Sequence, residues 1–279
     1  MSHDANTHQY SDNVVAAVLD LALRASRRHL AVIGLSGLQG SGKSTLAAQV
    51  VAAAKAHGVD ALTVSIDDFY FGRAARKKLA RDVHPLLRTR GVPGTHDVDL
   101  ALRTLDALRD ASPRHPARVP RFDKGLDTRL PPSHWKKILH APRFMILEGW
   151  CVGVTPQSNS ALRRPVNPLE RDEDPDATWR TWVNRQIGDH YLRLWKRLDR
   201  LVVLQAPSFR IVETWRNEQE QALRKRGAVH AQSHAKLQRF IMHYERLSRY
   251  EMKSLPALAD LRIVLDKKRH VKRIVLRRP

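Results

Sequence analysis

An α/β fold is predicted, with a doubly wound, mainly parallel sheet flanked by helices, and three observations lead to it. Apolar runs of strand length alternate with stretches of helical periodicity. The segment Gly37 to Ser44 spells G-x-x-x-x-G-K-S, with a strand-like run before it and a helical one after it. Acidic residues stand where the next strands end, at Asp67 and Glu148. Together these define a P-loop NTPase fold, in which ligands sit beyond the carboxyl ends of the strands.

The elements follow in order. Ser11 stands as an N-cap for a first helix to about Arg28, with Val14, Val15, Val18, Leu21 and Ala22 on one face. Leu30 to Leu35 is a continuous apolar run, as expected of a strand buried on both faces. Ser44 to His57 is an Ala-rich helix, with Gly58 placed to end it. Ala61 to Ile66 is a second strand that runs into Asp67-Asp68-Phe69-Tyr70. Arg73 to Arg81 reads as a short exposed basic helix, followed by a turn-rich loop from Thr89 to Asp97. Asp97 or Asp99 caps a helix through Leu108.

Arg143 to Leu147 forms a third strand, closed by Glu148-Gly149-Trp150. Residues 155–177 are rich in Pro, Asn and Asp and read as a long loop. Trp179, Trp182, Val183, Ile187, Tyr191, Leu194 and Trp195 recur at helical spacing from Thr178 to Leu198, a stripe that belongs to a core. Leu201 to Leu204 is a fourth strand, helices cover about 208–225 and 234–253, and Leu261–Leu265 and Val271–Leu276 form a final pair around a basic turn. The organisation expected is one domain over 1–279, with an N-terminal helix (1–29), a loop insertion (151–178) and a helical lid region (208–255).

Composition narrows the class. One cysteine, Cys151, excludes an internal disulfide and suits a reducing compartment. No apolar run reaches the length of a membrane span and the N-terminus has no leader pattern, so a cytoplasmic protein is expected. The net charge of +21 favours anionic ligands. Nucleic acid is the competing partner, but the arginines are scattered and no RNA-binding aromatic motif is present. The C-terminal basic stretch from Lys267 to Arg278 reads as an edge strand guarded by charge.

The chemistry follows from the strand ends. In the P-loop, Gly37, Leu38, Gln39, Gly40, Ser41, Gly42, Lys43, Ser44 and Thr45 cradle the phosphates of ATP through backbone N–H groups and a helix N-terminus. Lys43 reaches the β- and γ-phosphates, and the Ser44 hydroxyl and Glu148 hold Mg²⁺. Asp67 is placed to accept the proton of an acceptor hydroxyl. Asp68 is its rival, but alternation along a strand points it to the other face. A small anionic acceptor needs a fork of donors, and Arg90, His96, Arg121, Lys124 and Arg129 lie in the loops it meets. His96 has a second reading, as the residue that orients Asp97.

These residues carry a resemblance. Ser65-Ile66-Asp67-Asp68-Phe69-Tyr70 resembles the S-x-D-x-F segment of P-loop kinases related to uridine kinase, phosphoribulokinase and pantothenate kinase. Arg90 to Asp97, Pro120 to Lys124 and Leu147 to Trp150 resemble the D-glycerate 3-kinase family. Asn167 to Asp172 and Trp215 to Glu220 are similar to its bacterial branch. The resemblance implies transfer of the ATP γ-phosphate to a hydroxyl of D-glycerate, giving 3-phosphoglycerate. It implies Asp67 as base, Glu148 at Mg²⁺, Arg216 and Arg224 in a lid over the phosphates, and Tyr70 and Asp97 among the substrate contacts. Asp127-Thr128-Arg129 stands where an Asp-Asp-Arg or Gly-Asp-Arg element is expected. The alternatives are a kinase for another small alcohol, uridine- or pantothenate-kinase-like, and a nucleic-acid-binding ATPase.

Overall fold

In the computed structural model, residues 9–26, 29–225 and 234–277 are described, without the side chains of 222–225. Chain order gives α1 (Asp12–Ala25), β1 (Ala31–Gly37), α2 (Lys43–Ala56), β2 (Ala61–Ser65), α3 (Arg73–Asp82) and α4 (Val98–Arg109). Four short strands follow, β3 (Ala117–Val119), β4 (Phe122–Asp123), β5 (Thr128–Arg129) and β6 (Lys136–Ile138), then β7 (Phe144–Gly149). The second half holds α5 (Asn159–Leu162), α6 (Pro168–Glu173), α7 (Thr178–Gln186), α8 (Leu192–Trp195) and β8 (Arg200–Gln205). It ends with α9 (Ile211–Lys225), α10 (His234–Leu258), β9 (Leu261–Leu265) and β10 (Val271–Leu276).

The main sheet has the order β10-β9-β8-β1-β7-β2. All its pairs are parallel except β10, which runs antiparallel on β9. Every residue of β1 is buried, because helices cover both faces of a central parallel strand. Alternate residues enter opposite cores. Ala31, Ile33 and Leu35 meet α1, α2 and α9, whereas Val32 faces the core built with α4, α7 and α10. Register decides where the site forms. Glu148 lies level with Leu35 on one side and Ser65 on the other, so the ends of β1, β2 and β7 open onto one crevice.

Several expectations are refined. Ser11 does cap α1, but through its carbonyl, which accepts from Val14 and Val15, and not through its side chain. The helix ends at Ala25, short of Arg28, which lies outside the described residues. Asp97 is the cap of α4, its carboxylate accepting from the Leu100 N–H at 2.9 Å. α3 is exposed on most of its surface, but Ala80 is buried, and so is Arg76, which donates to the carbonyls of Phe71, Arg88 and Asp127.

The span read as a loop, 155–177, contains α5 and α6. Two buried ion pairs knit it to the body, Arg180 with Asp174 at 2.9 Å and Arg246 with Glu170 at 2.6 Å. These partners are distant or lie across a turn, so local composition shows only the polar residues and not their pairing. The aromatic stripe of 178–198 is core, with a π-helical stretch at Ile187–Tyr191 joining α7 and α8. Two further antiparallel ribbons, β3 with β6 and β4 with β5, form apart from the main sheet. The final strand pair forms as predicted. No helix among the described residues is long and apolar enough to cross a membrane.

Candidate active site

The P-loop leaves the buried strand β1 and turns into α2. Gly40 and Gly42 have φ of +79° and +91°, which L side chains adopt only at a cost. A Cβ at Gly40 would lie 2.7 Å from the Trp215 Cβ, and one at Gly42 would lie 2.8 Å from the Tyr10 hydroxyl. Lys43 opens α2, and its ammonium donates to the carbonyls of Gly37 at 2.8 Å and Leu38 at 3.1 Å. Burial lowers its pKa against the opposing pull of Glu148, Glu251 and Asp67.

Next to Lys43, the Ser44 hydroxyl donates to Glu148 Oε1 at 3.1 Å. Glu148 is buried, and desolvation pushes its carboxyl above the usual range although Lys43 opposes it. A desolvated carboxylate beside a hydroxyl is a hard oxygen donor set that fits Mg²⁺. Among the described residues no group of three or more His, Cys, Asp or Glu side chains could hold a metal alone.

Asp67 and Asp68 are not in a strand. They lie on a 3-10 turn, Ile66–Phe69, started by the Ser65 hydroxyl accepting from the Asp67 N–H. The turn gives the two acids different surroundings. Asp68 accepts from the Phe122 N–H at 3.0 Å and anchors β4, whereas Asp67 faces the cleft. The preference for Asp67 therefore stands on turn geometry and not on strand alternation.

The Asp67 carboxylate meets the ammonium of Lys124, from the β4–β5 turn, at 2.6 Å. Burial would raise Asp67, but the charge and hydrogen bond of Lys124, with the Tyr70 hydroxyl, bring it below the usual carboxylate range. Lys124 is raised in turn by Asp67. Arg90 lines the same cleft and is paired with Asp127, with its guanidinium 5.6 Å from the centre of the Phe122 ring. Asp127 also holds Arg76 at 2.7 Å and Arg73 at 3.5 Å.

His96 is buried and stacked on Tyr70, with ring centres 4.3 Å apart. Its Nδ1 lies 2.6 Å from the Tyr191 hydroxyl, which already accepts from the Gly94 N–H at 2.9 Å. With the phenol donating to Nδ1, neutral His96 carries its own proton on Nε2. That atom has no hydrogen-bond partner among the described residues. Desolvation brings the His96 pKa down to about 4, so the ring is uncharged at neutral pH.

The cleft between these groups holds about 270 Å³. The structure brings Gln39, Gly40, Gly42, Lys43, Ser44, Thr45, Asp67, Tyr70, Arg90, Lys124, Glu148 and Arg216 to its walls. Gly37, Leu38 and Ser41 do not line it, and the Leu38 side chain belongs to the core. Arg121 is exposed, while Arg129 pairs with Asp97 at 3.2 Å; with His96 they stand outside the lining. The side chain of Arg224 lies outside the described residues. Arg216 donates to Gln219 and Glu220, both at 2.9 Å, and its Nε has no partner among the described residues. Trp150, Gln219, Phe240 and Tyr244 also line the cleft and were not singled out in the sequence. Trp150 follows Glu148 closely enough to have been suspected. Phe240 and Tyr244 look like ordinary apolar positions of α10 until the helix is docked.

No protein-family model matches the chain. An uncharacterized kinase of Schizosaccharomyces pombe is 33% identical over 221 residues, covering 76% of this chain and 78% of that protein. The chloroplastic D-glycerate 3-kinase of Arabidopsis thaliana is 30% identical over 205 residues, 70% of this chain and 42% of the plant protein. The chain belongs to the D-glycerate 3-kinase family of P-loop kinases. In fold, this family member superimposes on D-glycerate 3-kinase from Cryptococcus neoformans with a TM-score of 0.78, at 23% identity, over 96% of this chain and 100% of that one. Kinase is the level at which the names of these relatives agree, with that of a third, a probable ATP-dependent kinase of Saccharomyces cerevisiae 28% identical over 264 residues, 86% of each chain.

Proposed function

We propose that this kinase transfers the γ-phosphoryl group of ATP to a hydroxyl of D-glycerate, giving 3-phosphoglycerate. One observation carries the reading: a single cleft joins the P-loop to a carboxylate–ammonium pair, Asp67 with Lys124, flanked by Arg90. A P-loop alone binds nucleotide. A carboxylate at its far wall gives an acceptor hydroxyl somewhere to send its proton, and two cations beside it suit an acceptor that is itself an anion.

In this reading the loop amides bind the phosphates and Lys43 leaves the Gly37 and Leu38 carbonyls for them. Ser44 and Glu148 hold Mg²⁺, which supplies charge neutralisation at the phosphates when bound. Asp67 aligns the hydroxyl and takes its proton at Oδ2 as Lys124 turns to the incoming negative charge. Arg216, which lines the cleft, covers the transferred group. Arg224 is assigned to the same cover. Arg90, His96 through its Nε2–H, Tyr70, Asp97, Arg121 and Arg129 form or support the acceptor pocket. The reading includes one domain over 1–279, a cytoplasmic location and membership of the bacterial branch.

The test is ADP release by the full chain with D-glycerate, uridine, pantothenate and ribulose 5-phosphate. D-glycerate stimulates release strongly and the others do not. Stimulation by another alcohol in its place would reassign the acceptor, and none by any would reject the acceptor reading.

A further inference from the structure

Two residues outside the cleft hold the P-loop by its outer carbonyls. Tyr10, just before α1, is buried, and its hydroxyl donates to the Ser41 carbonyl at 2.8 Å. Its own backbone is clipped to α2, donating to Gln49 Oε1 at 2.9 Å and accepting from Gln49 Nε2 at 3.0 Å. Arg269, in the β9–β10 turn, donates from Nε to the Gly40 carbonyl at 2.7 Å. The two ends of the chain thus grip consecutive carbonyls of one loop.

The consequence follows from peptide geometry. A trans peptide points its C=O and N–H in opposite directions. With the Ser41 carbonyl turned out to Tyr10, the Gly42 N–H is turned toward the phosphate side. With the Gly40 carbonyl turned out to Arg269, the Ser41 N–H is turned in, where it closes the loop on the Leu38 carbonyl at 3.1 Å. Gly42 is also the position where any side chain would strike the Tyr10 hydroxyl, so loop and clamp are fitted to each other.

Arg269 is itself held on three sides. Its guanidinium lies 5.0 Å from the centre of the Trp215 ring and pairs with Glu218 at 2.6 Å, both on α9. Its backbone has φ of +69°, a left-handed conformation fixed by the Asp266 turn, whose carboxylate accepts from the N–H groups of Lys268 and His270. The basic turn therefore ties α9, which carries Arg216, to the P-loop.

We infer that Tyr10 and Arg269 are positioning residues of the nucleotide site, which set ATP affinity by orienting the P-loop amides. The inference rests on the nucleotide reading of the P-loop and is independent of the acceptor. Calorimetric ATP and ADP binding to the full chain tests it, beside the unfolding temperature of each variant. Tyr10→Phe, which removes one oxygen, weakens ATP binding about fivefold, and Arg269→Gln about tenfold or more, as expected for a neutral and a charged donor. The KM for ATP rises in parallel, while the KM for the acceptor and kcat stay within about twofold. Arg269→Lys regains part of the affinity. Unchanged ATP affinity in both Tyr10→Phe and Arg269→Gln, whatever their unfolding temperatures, would overturn the inference. Wild-type protein that binds no ATP would overturn the nucleotide reading itself.

Discussion

At the P-loop end of the cleft the surface is largely backbone. Gly37 to Thr45 is one continuous segment, and of the two charges at this end Glu148, on β7, is buried and Lys43 half-buried, with neither in an ion pair among the described residues. At the other end the lining is side chains from separate turns, Lys124 paired with Asp67 and Arg90 paired with Asp127, while the pair of Asp97 with Arg129 stands outside the lining. The first end is preorganised by covalent continuity and by clamps from outside. The second is preorganised by mutual charge. Disturbing the first changes nucleotide binding, whereas disturbing one member of a pair at the second releases its partner.

The largest effect expected is at the pair proposed to do the chemistry. Asp67→Asn lowers kcat by about 10²–10⁴-fold, the range for loss of a general base, and leaves ATP affinity within about threefold. Single-turnover assays with calorimetric ATP binding check both halves. A matching loss of ATP affinity would mean that the two ends are not separable.

Glu148→Gln comes next and separates stability from function. Burial raises the folded-state pKa of Glu148, so its contribution to stability is present below its unfolded pKa and is lost as pH rises through the folded value. At neutral pH the ionised side chain is therefore a net cost. The amide variant loses about 10²-fold or more in kcat/KM and melts about 2–4 °C higher at pH 7.5, the shift expected for about 1 kcal/mol in a chain of this size. A lower melting temperature would contradict the assignment.

Asp127→Asn tests the supporting pair. Freed from its carboxylate, Arg90 no longer holds its place, and the acceptor KM rises about tenfold while the ATP KM does not change. Buried Arg76 loses the same partner, which costs about 1.5–3 kcal/mol of stability in denaturant unfolding.

The smallest effect is an absence in the pH profile. Asp67 sits below the ordinary range and stays ionised until the pH falls through its lowered value, so Glu148, raised above that range, is the first of the two to protonate. His96, at about 4, is neutral throughout the physiological range. The acid limb of kcat/KM is then carried by Glu148, and His96 contributes nothing to it in the ordinary histidine range. A limb there that vanishes in His96→Gln would contradict the buried, neutral ring.

The same contrast explains what the sequence could disclose. The P-loop, the strand ends and the aromatic stripe of 178–198 are legible because each depends on neighbours within a few residues. Asp97 was legible, beside Asp99, as one of two candidate caps for the same reason. The Asp67–Lys124 contact spans 57 positions and crosses from a 3-10 turn to a two-residue ribbon, too short for any periodicity to show. Arg76 reads as one more solvated base until the carbonyls of Phe71, Arg88 and Asp127 converge on it. Tyr10 carries no signal at all, since nothing in its neighbourhood refers to Ser41.

The most direct test of the account is phosphorus NMR of the full chain incubated with ATP, Mg²⁺ and D-glycerate. The account predicts a new phosphomonoester on the 3-oxygen of glycerate, formed together with ADP and lost in Asp67→Asn. ADP with inorganic phosphate alone, or a phosphate on the 2-oxygen, would contradict it.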